Sequence, residues 1–369
     1  MNATFINDLQ NFLKENKKKI VAIAACGMLF GVFGCGAAST GPAQSSQNAG
    51  TATAAKTETK AETGAVTKEM TAANKSARSN EDFTVNTPIQ DVIRYPGFGN
   101  YGRLIFPVNP GYYSGSTLGN LSLTWYTEIR AEKTVEICNY FKQHADAGDT
   151  IFYDIYTPEE KAADSSKNDA GLFFFKGKPG AKFAICNSGG GMVFVGSMHD
   201  SFPHALEISK KGYNAFALIY RAGYRTGPED LARAIAFIHT HAKELQVDAA
   251  DYSLWGGSAG ARLAAWLGSH GTEAFGEKPY PRPAAVVMQY SGLSEVTGRE
   301  PATYNCVGTG DHIAPYYVMQ ARINQICANG TNAEIEVFPG LDHGFGIGTG
   351  TVAEGWVGRA ITFWEKQMK

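Results

Sequence analysis

Leu254-Trp255-Gly256-Gly257-Ser258-Ala259-Gly260 (LWGGSAG) sets one serine among three glycines and an alanine. Apolar residues precede it in DYSLW (251–255), and helix formers follow in ARLAAWLGS (261–269). A lone hydroxyl in a stretch almost stripped of side chains needs a reason, and the flanking segments supply it.

Outward from this stretch the chain alternates strand and helix signals. IFYDIY (151–156) and GLFFFKG (171–177) read as strands, and AKFAICNSGGG (181–191) as a strand running into a glycine turn. FPHALEISKKG (202–212) reads as a short helix and YNAFALIYR (213–221) as a buried strand. GPEDLARAIAFIHTHAKELQV (227–247) is a helix: Pro228 opens it, acids fill its first turn, and Leu231, Ala234, Ile235, Ile238, Ala242 and Leu245 make one apolar stripe. Strands follow at YSLWGG (252–257), AAVVMQYSG (284–292), TYNCVGTG (303–310) and AEIEVFPG (333–340), with helices at ARLAAWLGS, YVMQARINQICANG (317–330) and AEGWVGRAITFWEKQ (353–367). Nearly continuous apolar strands separated by helices predict an α/β fold with a mostly parallel sheet covered on both faces. Such sheets bind ligands at the carboxyl ends of their strands.

In that setting GGSAG is a G-x-S-x-G between a strand and a helix, the context of a nucleophile elbow. The turn is so tight that its neighbours must be minimal, and it lifts the serine oxygen above the sheet edge. A serine hydroxyl needs a base within hydrogen-bond reach. The elbow predicts the chain order serine, acid, histidine. Asp311, just beyond TYNCVG, and His343, in the glycine-rich loop after the last strand, complete it on the same rim as Ser258. Glu295, after the preceding strand, is the competing acid; His199 and His204 are candidates to line the pocket. A tetrahedral intermediate also needs backbone donors. The N–H of Ala259 is one, and the loop NSGGGM (187–192) is the expected source of the others.

These residues carry a resemblance. The region from about 151 to 367 is similar to α/β-hydrolases of the bacterial esterase/lipase type, including the hormone-sensitive-lipase-like and acetyl esterase members. In the hormone-sensitive-lipase-like branch the oxyanion loop reads His-Gly-Gly-Gly, whereas here Ser188 stands in place of the histidine. YRAGYRTGPEDLARA (220–234) is similar to the Tyr-Arg and proline segment of that branch. The resemblance implies carboxylic ester hydrolysis through an acyl-enzyme, with Ser258, Asp311 and His343 as the triad. By motif position Gly190, Gly191 and Ala259 match its oxyanion donors. No metal or organic cofactor is implied.

The other segments set location and class. Charged residues are 18% of the 369-residue chain and hydrophobic residues 44%, so the bulk is globular. The net charge is −2 with no basic stripe, which excludes an electrostatic footprint for nucleic acid. KENKKKI (14–20) leads into the apolar run Ile20–Gly34, at the long end for a signal peptide and short for a spanning helix. That run ends in VFGC (32–35), which resembles a bacterial lipobox and makes Cys35 the acylated N-terminus after cleavage. Phe33 departs from the residue usual in its slot, and an uncleaved anchor helix is the alternative. Both put the rest outside the cytoplasm, on the bacterial cell membrane. Residues 35–80, poor in anything to bury, read as a disordered tether. Residues 81–150, rich in Gly, Pro and aromatics, read as an N-terminal extension or cap on the domain at 151–369. The widely spaced Cys138, Cys186, Cys306 and Cys327 make no zinc or disulfide pattern.

The expectation is a lipid-anchored serine esterase. The substrate would carry a small acyl group such as acetyl on a polar alcohol or saccharide. LSEVTGREPA (293–302) is too short for the helical cap many lipases insert there, and Tyr112, Tyr113, Trp125 and Tyr126 suit stacking on sugar faces or packing of the extension. A serine peptidase of the same fold and a non-catalytic binding protein on a hydrolase scaffold are the rival readings. The sequence sets no oligomeric state.

Overall fold

The computed structural model describes residues 81–369. The signal peptide, Cys35 and the tether lie outside the described residues. The main sheet has eight strands: β1 Phe152–Tyr153, β2 Gly171–Phe175, β3 Lys182–Asn187, β4 Asn214–Ile219, β5 Asp248–Gly257, β6 Ala285–Gln289, β7 Ala302–Gly308 and β8 Ala333–Phe338. Their spatial order is β1-β2-β4-β3-β5-β6-β7-β8. Only β2 runs against the rest, pairing antiparallel with both β1 and β4. This order, with the second strand reversed, is that of the α/β-hydrolase fold. Strands β2, β4 and β6 are buried along their whole length, because helices cover both faces.

The longer helices are α1 Ala131–Asp146, α2 Phe202–Lys210, α3 Thr226–Thr240, α4 Ala259–His270, α5 Tyr316–Ala328 and α6 Trp356–Glu365. In α1 the buried residues Thr134, Ile137, Cys138 and Phe141 recur at helical spacing on one face. Helix α4 is buried almost all round, as a helix apolar on every side must be. Two elements differ from the sequence reading. IFYDIY forms strand only at Phe152–Tyr153, where β1 meets β2 at the sheet edge through two residue pairs. The long helix begins at Thr226 rather than Gly227 and breaks at His241, with a separate turn at Ala242–Leu245.

Chain reversal around β3 positions the site. From β3 the chain moves to β4 on one side, then crosses to β5 on the other, and β6 to β8 continue outward from there. The carboxyl ends of β3 and β5 therefore flank a crevice at the switch point. Residues 81–150 pack onto the same unit. Tyr101 stacks on Phe152, and Phe141 of α1 lies 4.9 Å from Phe173, 5.3 Å from Phe175 and 5.1 Å from Phe202, ring centre to ring centre.

Candidate active site

Ser258 sits between the end of β5 and the start of α4, with φ 51° and ψ −114°. A side chain rarely adopts that backbone, and the cost is met by packing that leaves no alternative. A Cβ at Gly256 would lie 2.3 Å from the carbonyl of Gly260, and one at Gly260 would lie 2.0 Å from the Asn187 carbonyl oxygen. The glycines are thus required by backbone contact between the turn, the helix and β3. The Ser258 N–H donates to the Gln289 carbonyl at 2.9 Å, tying the turn to β6. Ser258 is left partly exposed at the helix N-terminus.

Three residues meet at this hydroxyl. His343 Nε2 lies 3.0 Å from Ser258 Oγ, and His343 Nδ1 lies 2.8 Å from Asp311 Oδ2. The other carboxylate oxygen of Asp311 accepts the N–H groups of Ile313 at 2.8 Å and Ala314 at 2.7 Å, which fix its plane. With Asp311 accepting from Nδ1–H, Nε2 is free to take the serine proton. Glu295 is turned elsewhere: it lies 3.4 Å from His270 Nε2 and accepts from Trp266 Nε1 at 3.2 Å.

The glycine loop faces the serine. A Cβ at Gly189 would come 2.8 Å from that of Ser258. The Gly189 N–H donates to Asp200, so it is taken. The next two glycines turn through φ 126° and 62°, and among the described residues their N–H groups have no backbone acceptor. Together with Ala259, the first residue of α4, they supply the donor types an oxyanion needs. The Ser188 hydroxyl lies behind the loop, 3.4 Å from Ser197 Oγ and 3.3 Å from Ser201 Oγ.

Residues 125–127 of the N-terminal segment reach this site. The Trp125 ring covers Gly191, where a Cβ would be 2.8 Å away, and is 38% exposed. Tyr126 is buried and donates its hydroxyl to Asp200 at 3.1 Å, so it is unavailable to stack on a ligand. Tyr112 stacks on Phe194 at 4.6 Å.

A layer behind the histidine holds its loop, and the sequence reading missed it. Gln289 Nε2 donates to the Gly346 carbonyl at 2.5 Å, and Trp356 Nε1 donates to the same oxygen at 3.0 Å. His199 and His204 do not line the open site; both are buried. His199 Nε2 lies 2.7 Å from the Gly344 carbonyl and donates to it. Burial holds the His199 imidazole below its ordinary range and pushes that of His204 down to about 4. His204 Nε2 donates to Gln289 Oε1 at 3.0 Å, since the amide nitrogen of Gln289 is already committed. The signal available in sequence was a polar glutamine ending an otherwise apolar strand.

Similarity to known proteins is limited in extent. The family profile described as BD-FAE matches residues 176–300, a stretch that includes the glycine loop and Ser258 and stops before Asp311 and His343. No curated protein matches the chain. Among solved structures, a thermophilic esterase from the planctomycete Thermogutta terrifontis with propionate bound is 22% identical, with TM-score 0.47, over 53% of this chain and 89% of its own. MGS-M1, an α/β-hydrolase from a Medee basin deep-sea metagenome library, is 20% identical with TM-score 0.47, over 54% and 92%. An acetyl ester-xyloside bifunctional hydrolase from Caldicellulosiruptor lactoaceticus is 21% identical with TM-score 0.48, over 53% and 88%.

Proposed function

We propose that the protein is a serine carboxylic-ester hydrolase with Ser258 as nucleophile, His343 as general base and acid, and Asp311 as the orienting acid. The observation that carries this reading is the hydrogen-bonded line from Asp311 through His343 to Ser258, opposite a loop of three glycines. Ser258 Oγ attacks the ester carbonyl as its proton passes to His343 Nε2. The resulting oxyanion takes hydrogen bonds from the N–H groups of Gly190, Gly191 and Ala259. Collapse breaks the bond to the alcohol, which leaves with the proton from His343. A water then attacks the acyl-enzyme with His343 again as base, and the free acid departs. Asp311 keeps Nδ1 protonated and stabilises the imidazolium throughout.

The substrate is proposed to carry a short acyl group, such as acetyl, on a polar alcohol or saccharide. In support, the connection from β6 to β7 holds no helix, so no cap arises there to enclose a long chain. Trp125, half-exposed beside the glycine loop, offers a ring face for the alcohol. Nitrophenyl esters from acetate to palmitate, run beside acetylated xylo-oligosaccharides and aminopeptide substrates, test the reading. Turnover should peak at the shortest esters. A maximum at eight carbons or beyond with no acetate released from sugars would indicate a lipase, and faster cleavage of peptides would indicate a peptidase. We also propose a lipid anchor at Cys35 that holds the protein outside the cytoplasm. Fatty-acid label should enter the wild type and be lost in Cys35→Ala; equal labelling of both would remove Cys35 from the account.

A further inference from the structure

Asp200 ends a four-residue helical turn, Ser197–Asp200, that follows the glycine loop, and it is 2% exposed. Among the described residues, no Lys or Arg forms an ion pair with its carboxylate. Instead three neutral donors converge on it from three distant parts of the chain. The Gly189 N–H donates to Oδ2 at 2.7 Å, the Tyr126 hydroxyl donates to the same oxygen at 3.1 Å, and the Tyr290 hydroxyl donates to Oδ1. Both phenols are held protonated well above their ordinary range, first by burial and then by the Asp200 charge, so they remain donors at any working pH.

Each donor belongs to a segment that shapes the site. Gly189 begins the oxyanion loop. Tyr290 follows β6, and its ring lies 4.8 Å from that of His343. Tyr126 comes from the N-terminal extension and packs against Gly196 and Gly344 on either side. The carboxylate also lies against the nucleophile turn, where a Cβ on Gly257 would come 2.3 Å from Oδ1. A buried carboxylate that accepts from three oriented donors is a rigid node, because removing any one donor leaves an acceptor oxygen less than satisfied.

We propose that Asp200 is a positioning residue for ester hydrolysis, gathering Gly189, Tyr126 and Tyr290 so that the oxyanion loop and the ring beside His343 are fixed relative to Ser258. The proposal rests on the esterase reading above. Asp200 takes the Gly189 N–H, which leaves the amides of the following two glycines, without a backbone acceptor among the described residues, as the loop's available donors. It also explains why the N-terminal segment enters the site: Tyr126 supplies a donor to the node. An amide at this position cannot accept from all three, since its NH2 would face a donor.

The test uses Asp200→Asn and Tyr126→Phe in the full chain, with active sites counted by stoichiometric fluorophosphonate labelling. For Asp200→Asn, kcat per labelled site should fall about 10²-fold, the scale of a lost oxyanion donor, with KM within about twofold of wild type. Inhibition by phenylboronic acid, which places a tetrahedral oxygen in the same donors, should weaken in parallel with kcat. A merely structural residue would lower the number of labelled sites and leave kcat per site and boronate affinity unchanged. Should Asp200→Asn fail to fold, Tyr126→Phe keeps the carboxylate and two donors and should show the same pattern at about one-tenth the size. Wild-type kcat per site and wild-type boronate affinity in whichever variants fold would overturn the proposal. A wild-type protein that labels yet turns over no ester would instead overturn the esterase reading, and this proposal with it.

Discussion

Ser258, Asp311 and His343 come from three connections separated by whole strand–helix units, yet their atoms meet within 3.0 Å. Their meeting was legible because each lies in the loop just after a strand, after Gly257, Gly308 and Phe338, and a parallel sheet brings those ends to one rim. The acid is the residue whose choice the sequence left open. Asp311 touches His343, whereas Glu295 spends its oxygens on Trp266 and His270. Asp311→Asn should therefore lower ester turnover on the order of 10⁴-fold by favouring the wrong imidazole tautomer, while Glu295→Gln should stay near wild type. Steady-state rates of the two variants check this; the reverse ranking would move the acid to Glu295. Asp200 was not legible. Its role depends on donors at 126, 189 and 290, and no local pattern joins positions so far apart.

At the scale of elements, buried strands and amphipathic helices were readable because burial leaves a continuous or periodic apolar pattern. The two-residue β1 was not, since IFYDIY carries the residues of a longer strand but sits at an edge with only β2 to pair with. The N-terminal segment was readable as something packed on the domain or capping its rim, with Trp125 and Tyr126 among its candidate site aromatics, though the bond from Tyr126 to Asp200 was not. Its contact is aromatic: Phe141 of α1 is fully buried against Phe173, Phe175 and Phe202. Truncating that ring leaves a cavity between α1, β2 and α2. Phe141→Ala should destabilise the protein by about 3–5 kcal/mol, read from urea unfolding curves. A change below about 1 kcal/mol would mean that α1 is only loosely attached to the sheet.

For the whole molecule, the layer behind the histidine loop couples stability to pH. The His204 imidazole titrates near 6.5 when unfolded and at about 4 in its buried site. Between these values the unfolded chain binds the extra proton, so stability is complete above pH 6.5 and falls as the pH drops toward 4. The loss from this group amounts to about 3 kcal/mol over the window, and His199, lowered in the same direction, adds to it. Urea midpoints for wild type and His204→Gln at pH 7 and pH 4.5 measure the effect. The variant should lose less stability on acidification, and equal losses would place the acid sensitivity elsewhere. The central claim, that Ser258 is an activated nucleophile for esters, is tested most directly by intact-mass analysis after fluorophosphonate treatment, with nitrophenyl acetate turnover in the same samples. Wild type should gain one adduct, mapped to Ser258, and lose its turnover, while Ser258→Ala should be folded, unlabelled and inactive. Turnover retained by Ser258→Ala, or a wild type that hydrolyses the ester without taking label at Ser258, would contradict the account.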